Sequence, residues 1–282
     1  MENFRKIQSI HSAPEIMMGS IKLRQAFPLR GIEQVSPFIL LHHFDFTYEP
    51  GENNFHVPPH PHRGFCPITF MYEGSIEHED SLGNKKVIGD NEVQWINAGR
   101  GLIHSEKADK TFIEKGGRSQ GIQLWINLPK DKKMNPPSYQ PITKDEIVLI
   151  EKEGVKLRLV SGSYLNKKGP AHSDVLTAML HMNKDSNFTF TLPTSNNVCF
   201  YVLEGELNLN NSTTIKQHDT VIFDNEDGDI NLIANSNSKL LIMAGEPIDE
   251  PLVSHGPFVM TSETEILEAM RDYQQGKMGF LP

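Results

Sequence analysis

The stretch that decides the fold runs from residue 60 to residue 106 and reads HPHRGFCPITFMYEGSIEHEDSLGNKKVIGDNEVQWINAGRGLIHSE. It opens with the pair His60 and His62 and closes, after a glycine-rich turn, with His104 and Glu106. Side chains of an extended strand alternate between two faces, so residues two apart point the same way. If the two strands are neighbours in a barrel, three imidazoles and one carboxylate converge on one cavity. The pattern therefore predicts a metal site.

Short strands account for most of the remaining chain. Residues 19–27 and 121–129 alternate apolar with polar side chains, and turns rich in Gly, Pro and Asn recur about every ten residues. No helical period separates these runs, so the pattern indicates an all-β sandwich or barrel. Residues 47–59 are rich in Pro, Gly and Asn and are predicted to form a loop over the barrel mouth.

The second half of the chain repeats the first faintly. Residues 198–205 end in Glu-Gly, as residues 68–74 do. The second half contains His172, His181 and His218, but it lacks a His-x-His pair. We therefore predict two copies of one β-architecture, of which only the first carries a metal motif.

The predicted domain boundaries follow from this repeat and from composition. Residues 1–128 are assigned to the first, metal-binding barrel and residues 146–247 to the second barrel. Between them, residues 129–145 are rich in proline and lysine and are predicted to be a linker. Residues 248–282 form a tail with a helix over residues 262–275, because a capping box and helical apolar spacing occur there.

Composition and charge narrow the class of protein. The 282 residues, 38% of them hydrophobic and 22% charged, fit a globular protein. A net charge of −9 argues against broad electrostatic binding to nucleic acid or anionic membranes. Without a long apolar run or a signal-like start, we expect no membrane insertion and a cytoplasmic location, or a nuclear one if the source is eukaryotic. Cys66 and Cys199 lie in apolar runs and are expected to be free thiols.

Residue chemistry alone leaves the identity of the metal open. Three neutral imidazoles and one carboxylate suit Fe(II), Mn(II), Ni(II), Cu(II) or Zn(II). Four protein ligands leave two positions open on an octahedral ion, whereas a structural zinc site is closed and usually rich in cysteine. Two alternatives remain at this point: histidines that are hydrogen-bonded within a core, and a metal that binds without doing chemistry.

Several segments together resemble the cupin superfamily and, within it, the pirin family, over nearly the whole chain. They are PHPHRGF (59–65), HEDS (78–81), QW (94–95), AGRG (98–101), HSE (104–106), QLWINLP (123–129) and HGPFVM (255–260). The resemblance implies a bicupin, with two jelly-roll β-barrels packed together and a short C-terminal helix. It also implies one iron in the first barrel, with ligands at His60, His62, His104 and Glu106.

The resemblance implies two alternative functions. Some pirins are quercetin 2,3-dioxygenase-like oxygenases that open the ring of flavonols with dioxygen and release carbon monoxide. A small aromatic substrate and dioxygen would then bind here, and Glu106 would be the catalytic residue that accepts the 3-hydroxyl proton. The alternative is a non-enzymatic, iron-dependent redox-sensing regulator that acts through protein partners. A monomer is expected in either case.

Residues beside the motif carry weaker expectations. Phe55, Phe65 and Trp95 are candidates to line an apolar pocket for a flat substrate. Cys66 stands where many pirins have Glu, and we expect it to face the cavity, chiefly as a small hydrophobe. The His78–Asp80 pair precedes a turn and is expected to hold it.

Overall fold

The computed structural model describes residues 3–52 and 55–281, which fall into two compact units. The first barrel comprises residues 17–23, residues 38–144 and the chain from Ile248 onward. The second barrel comprises the described residues up to Ile16, residues 24–37 and residues 145–247. No helix in the described ranges has the length and apolar character needed to cross a membrane.

Nearly all regular structure is strand. In chain order the strands of the first half are β1 (Ile7–Ser12), β2 (Glu15–Met18), β3 (Ile21–Phe27), β4 (Phe38–Tyr48), β5 (His56–His62), β6 (Phe65–Glu73), β7 (Ile76–Asp80), β8 (Lys85–Ile88), β9 (Val93–Asn97), β10 (Leu102–Ala108), β11 (Gly117–Asn127) and β12 (Ser138–Ile142). Those of the second half are β13 (Val148–Lys152), β14 (Val155–Ser161), β15 (Ser163–Tyr164), β16 (Lys167–Lys168), β17 (Leu176–Met182), β18 (Asn187–Phe190), β19 (Asn197–Glu204), β20 (Glu206–Leu209), β21 (Thr213–Lys216), β22 (Asp219–Phe223), β23 (Ile230–Ala234), β24 (Ser238–Gly245), β25 (Val253–His255) and β26 (Phe258–Met260). The helices are α1 (Lys110–Lys115), α2 (Glu263–Gln274) and a 3-10 turn at Lys130–Lys132.

Each barrel is built from one seven-stranded and one four-stranded antiparallel sheet. The first has the strand orders β12-β9-β6-β11-β4-β3-β2 and β5-β10-β7-β8. The second has β1-β22-β19-β24-β17-β14-β13 and β18-β23-β20-β21. The two sets of orders coincide when β2–β11 are matched with β13, β14 and β17–β24 and β12 is matched with β1. The predicted all-β fold with two cupin barrels is confirmed.

The edge strands show how the structure departs from the predicted boundaries. Strand β1, assigned by sequence to the first barrel, pairs antiparallel with β22 of the second. The predicted linker is wrong over residues 138–142, because β12 pairs there with β9 of the first barrel. An edge strand tolerates proline, since one side of its backbone has no sheet partner. Pro141 therefore does not prevent the pairing.

Proline also misled the prediction of a loop over residues 47–59. Strand β4 continues to Tyr48, and β5 begins at His56 and runs through Pro58, Pro59 and Pro61. Strand β5 is the edge of its four-stranded sheet, where missing backbone donors can face away from the neighbour. The two strands therefore extend into the predicted loop, of which residues 53–54 lie outside the described part of the chain, and the His-x-His pair lies on a strand.

The predicted C-terminal helix is confirmed as α2. Ser262 is its N-cap and accepts a hydrogen bond from the Glu265 backbone N–H at 3.3 Å. The Glu265 carboxylate reaches back to the Thr261 N–H at 2.9 Å, one residue earlier than in a standard capping box. Arg63 anchors the far end of the helix, because its guanidinium donates to Asp272 at 3.1 Å. Arg63 is thereby a structural residue.

Candidate metal centre

The inner face of the sheet β5-β10-β7-β8 carries the polar cluster of the first barrel. Antiparallel pairing places His104 opposite both His60 on β5 and Asp80 on β7. Glu106 lies opposite His78 in the same register. Directly paired residues share a face of the sheet, so these side chains all project inward.

Three of the predicted residues form a compact triad. One ligand nitrogen from each of His60, His62 and His104 lies within 4.8 Å of the others. The ring centroids are 4.4 Å apart for His60 and His104 and 4.9 Å apart for His62 and His104. His60 Nδ1 donates to the Pro58 carbonyl at 2.9 Å, so Nε2 is the ring nitrogen left to bind a metal ion.

Glu106 belongs to a second, overlapping set. Its carboxylate and ring nitrogens of His78 and His104 lie within 4.8 Å of one another. The structure thus brings the four predicted residues to one cluster, but it places the carboxylate beside His78 and not within the triad. The assignment of all four as ligands stays a prediction.

His78 is the residue whose place in the cluster was missed. Its Nε2 donates to Asp80 Oδ2 at 3.1 Å, and its ring stacks on Tyr139 with centroids 4.2 Å apart. Asp80 does hold the following turn, since it also accepts the backbone N–H groups of Leu82 and Asn84. The repeated spacing of two residues, as in His60 and His62, was the signal that could have found it.

The Glu106 carboxylate is held from the opposite sheet. Gln94 Nε2 on β9 donates to Glu106 Oε1 and, at 2.9 Å, to Thr69 Oγ1. The Thr69 hydroxyl in turn donates to Glu106 Oε1 at 3.4 Å. All three side chains are buried, with at most 4% of their surface exposed. The sequence pattern did not indicate a role for either supporting residue.

Burial favours the neutral form of two imidazoles of the triad, His62 and His104. Burial, and then the neighbouring His60, holds the pKa of His62 well below its ordinary value. Burial, followed by the positive charge that neighbouring histidines would carry, lowers the pKa of His104 in the same way. A neutral imidazole has one free lone pair, which is the form that binds a metal ion.

The residues present fit a divalent transition metal. His60 Nε2 and His62 Nε2 are 3.0 Å apart. Two nitrogens bound at right angles to an ion, each about 2.1 Å from it, would lie about 3.0 Å apart. Both ring nitrogens of His104 are buried without a hydrogen-bond partner in the described chain. Leaving such atoms unpaired is costly, so a bound ion would satisfy a real deficit.

A cavity of about 220 Å³ opens beside this cluster. Its wall is polar at His60, His62, Glu106 and Thr69 and elsewhere mainly apolar, with Met18, Ile21, Leu23, Phe44, Phe55, Val57, Ile76 and Trp125. Of the three predicted aromatic residues, Phe55 lines the cavity, whereas Phe65 packs behind Trp125 with centroids 4.3 Å apart. Trp95 alternates with Gln94 on β9 and therefore faces the other side of the sheet.

Two further residues near the cluster, Cys66 and His42, can now be placed. Cys66 is buried with Trp95 and Lys133 as neighbours, and burial raises the pKa of its thiol to about 12. Cys66 and Thr69 are three residues apart on β6, so their side chains lie on opposite faces of the sheet. Because Thr69 lines the cavity, the expectation that Cys66 faces the cavity is wrong. His42 does line the cavity, and burial lowers its pKa to about 4.

Comparison with known proteins agrees with the two-barrel cupin fold described above. The family model Pirin matches residues 20–126, and the model Pirin C-terminal cupin domain matches residues 177–279. Pirin-1 of Arabidopsis thaliana is 37% identical over 255 residues, covering 87% of this chain and 84% of that protein. A quercetin 2,3-dioxygenase structure from Acinetobacter baumannii has a TM-score of 0.92 and 32% identity, covering 98% of this chain and 99% of that one.

A more distant structure shares the fold. It is a bacterial pirin from Escherichia coli in complex with nickel(II), with a TM-score of 0.66 and 21% identity, covering 86% of this chain and 98% of that chain. Both family models, the level of identity to Pirin-1 and the near-complete structural match agree. This chain belongs to the pirin family.

Proposed function

We propose that this protein is an iron-dependent dioxygenase that opens the ring of flavonols such as quercetin and releases carbon monoxide. His60, His62, His104 and Glu106 would hold the ion. The observation that supports this best is a triad of imidazoles, two of which line an apolar cavity together with the Glu106 carboxylate. The similarity to a solved quercetin 2,3-dioxygenase supports the reaction class.

The cavity wall supplies binding and orientation. Phe44 and Phe55 pack with ring centroids 5.8 Å apart and, with Trp125, offer flat apolar surfaces to an aromatic ring system. Such a wall excludes water from the reacting ring and directs the polar edge of the substrate towards the histidines and Glu106. A small aromatic molecule with adjacent oxygen atoms is therefore the substrate class that we propose.

Glu106 would handle the proton. The substrate 3-hydroxyl must lose its proton before the ring becomes electron-rich enough to react with dioxygen. Gln94 and Thr69 occupy Glu106 Oε1, so Oε2 is the oxygen left to accept that proton. When bound, a redox-active ion such as Fe(II) supplies the one-electron chemistry that dioxygen requires. The ligand types also suit Mn, Ni, Cu or Zn.

Aerobic turnover of quercetin by the iron-loaded protein tests the proposal. Loss of flavonol absorbance and release of carbon monoxide are expected, and both should fall at least about 100-fold in His104→Ala and Glu106→Ala. His181→Ala is the matched control, because that histidine lies on β17 of the second barrel. Turnover no faster than with free iron, across several flavonols, would refute the enzyme. The regulator would then require partner binding that changes when iron is removed or oxidised.

A further inference from the structure

Gln94 is a buried polar residue that the predicted ligand set leaves unexplained. It lies on β9, directly opposite Thr69 on β6, with 1% of its surface exposed. We infer that Gln94, supported by Thr69, is the positioning residue for Glu106, because it fixes which carboxylate oxygen is available to the cavity. This inference deepens the proposed function, in which Glu106 binds metal and accepts a proton.

The hydrogen bonds define one orientation of the carboxylate. Gln94 Nε2 donates to Glu106 Oε1 and, at 2.9 Å, to Thr69 Oγ1. Thr69 Oγ1 in turn donates its proton to Glu106 Oε1, at an oxygen–oxygen distance of 3.4 Å. Turning the Gln94 amide over would place its oxygen against the carboxylate, where two acceptors would repel. Both donors therefore converge on Oε1, and Oε2 remains for an ion or a substrate hydroxyl.

Stability alone does not explain an amide at this place. Gln94 Oε1 is buried without a hydrogen-bond partner in the described chain, which is unfavourable for folding. A leucine of similar size would fill the same space without that penalty. The benefit of the amide is thus its N–H group, and the acceptor of interest is Glu106.

The second barrel supports this reading independently. Its strand register places Val221 opposite Phe200, as Gln94 lies opposite Thr69. Leu232, opposite Leu209, occupies the place of Glu106, which lies opposite His78. Where the carboxylate is missing, the amide and the hydroxyl are missing as well. The three polar residues therefore behave as one unit, and not as separate features of the fold.

Anaerobic titration with Co²⁺ tests the inference without any flavonol. Gln94→Leu is expected to weaken Co²⁺ binding by about 10-fold to 100-fold and to change the visible Co²⁺ spectrum, which reports the ligand arrangement. Gln123→Leu is the matched control. Gln123 lies on β11, is paired with Thr69 on β6, and lines the cavity. It makes no hydrogen bond to Glu106 in the described structure, so a change below about 3-fold is expected.

Further variants keep the test decisive if Gln94→Leu folds poorly. Gln94→Glu keeps the size but removes the donor and should also weaken Co²⁺ binding, whereas Thr69→Val should cause a smaller loss of a few-fold. Unchanged affinity and spectrum in the Gln94 variants would overturn the inference. Altered Co²⁺ binding with no flavonol cleavage by the iron protein would refute only the proposed function. Normal Co²⁺ binding by the Gln94 variants, together with flavonol cleavage by the iron-loaded protein, would refute only the role of Gln94.

Discussion

The inner four-stranded sheets of the two barrels have the same topology and register but opposite chemistry. In the first barrel the paired inward positions hold His60 with His104, His104 with Asp80, and Glu106 with His78. In the second barrel Phe190 with Ile230 takes the place of His60 with His104, and Leu209 with Leu232 takes the place of His78 with Glu106.

The difference shows what a cupin barrel needs in order to fold. The interior of the second barrel is a continuous apolar core that includes Phe190, Phe200, Leu207 and Leu232, all at most 1% exposed. Such a core gains from burial, and these four side chains contain no polar atoms that need partners. The first barrel gives up part of that gain for buried imidazoles, one of which has two unpaired nitrogens. Folding stability alone therefore does not explain the histidines.

The largest effect is expected when the first barrel is made to resemble the second. The double substitution His60→Phe with His62→Phe replaces two candidate ligands with the apolar residue type that β18 carries at Phe188 and Phe190. Binding of Ni²⁺ or Fe²⁺ should weaken by at least about 100-fold, because each ligand contributes several kcal/mol to a metal site. Isothermal titration of the metal-free protein measures this. Retention of wild-type affinity would show that the triad is not the metal site.

The reverse substitution places the chemistry of the first barrel in the second. Leu232→His puts an imidazole at the position equivalent to Glu106, in a fully buried apolar core. It should lower the free energy of unfolding by about 2–4 kcal/mol, because apolar contacts are lost and a polar ring is buried without partners. Urea unfolding followed by circular dichroism measures the change. Leu232→Met is the control and should cost less than about 1.5 kcal/mol. Equal stability of the two variants would contradict this account.

The smallest effect concerns a histidine that the second barrel does contain. Burial, and then the adjacent Arg158, lowers the pKa of His181 to about 4. The unfolded chain takes up this proton near pH 6.5, so His181 costs stability as the pH falls from about 6.5 towards 4 and has no effect above that range. Between pH 6.5 and 5, the His181→Gln variant should therefore lose less free energy of unfolding than the unaltered protein, by on the order of 1 kcal/mol.

Urea unfolding of the metal-free protein at pH 7.5, 6 and 5 measures the slope of the free energy of unfolding against pH. The exposed His172 provides the control, and His172→Gln should leave the slope unchanged. If His181→Gln loses as much stability on acidification as the unaltered protein does, the neutral, buried state assigned to His181 is wrong.

Periodicity within single strands was predictable, and pairing between strands was not. The alternation in β3, β5 and β10 predicted which residues share a face, and the capping residues predicted α2. Proline content misled the prediction at β5 and β12, because an edge position removes the penalty that proline carries inside a sheet. The pairing of β1 with the second barrel joins residues more than 200 positions apart, and no local signal specifies it.

The sequence by itself determined an all-β fold in two copies, a terminal helix, and the common face of His60 with His62 and of His104 with Glu106. These properties follow from side-chain alternation and capping, which act over a few residues. Only the tertiary structure placed His78 beside Glu106, Gln94 and Thr69 on the carboxylate, and Cys66 away from the cavity. These placements depend on which strands adjoin and in what register, and long-range packing alone decides that.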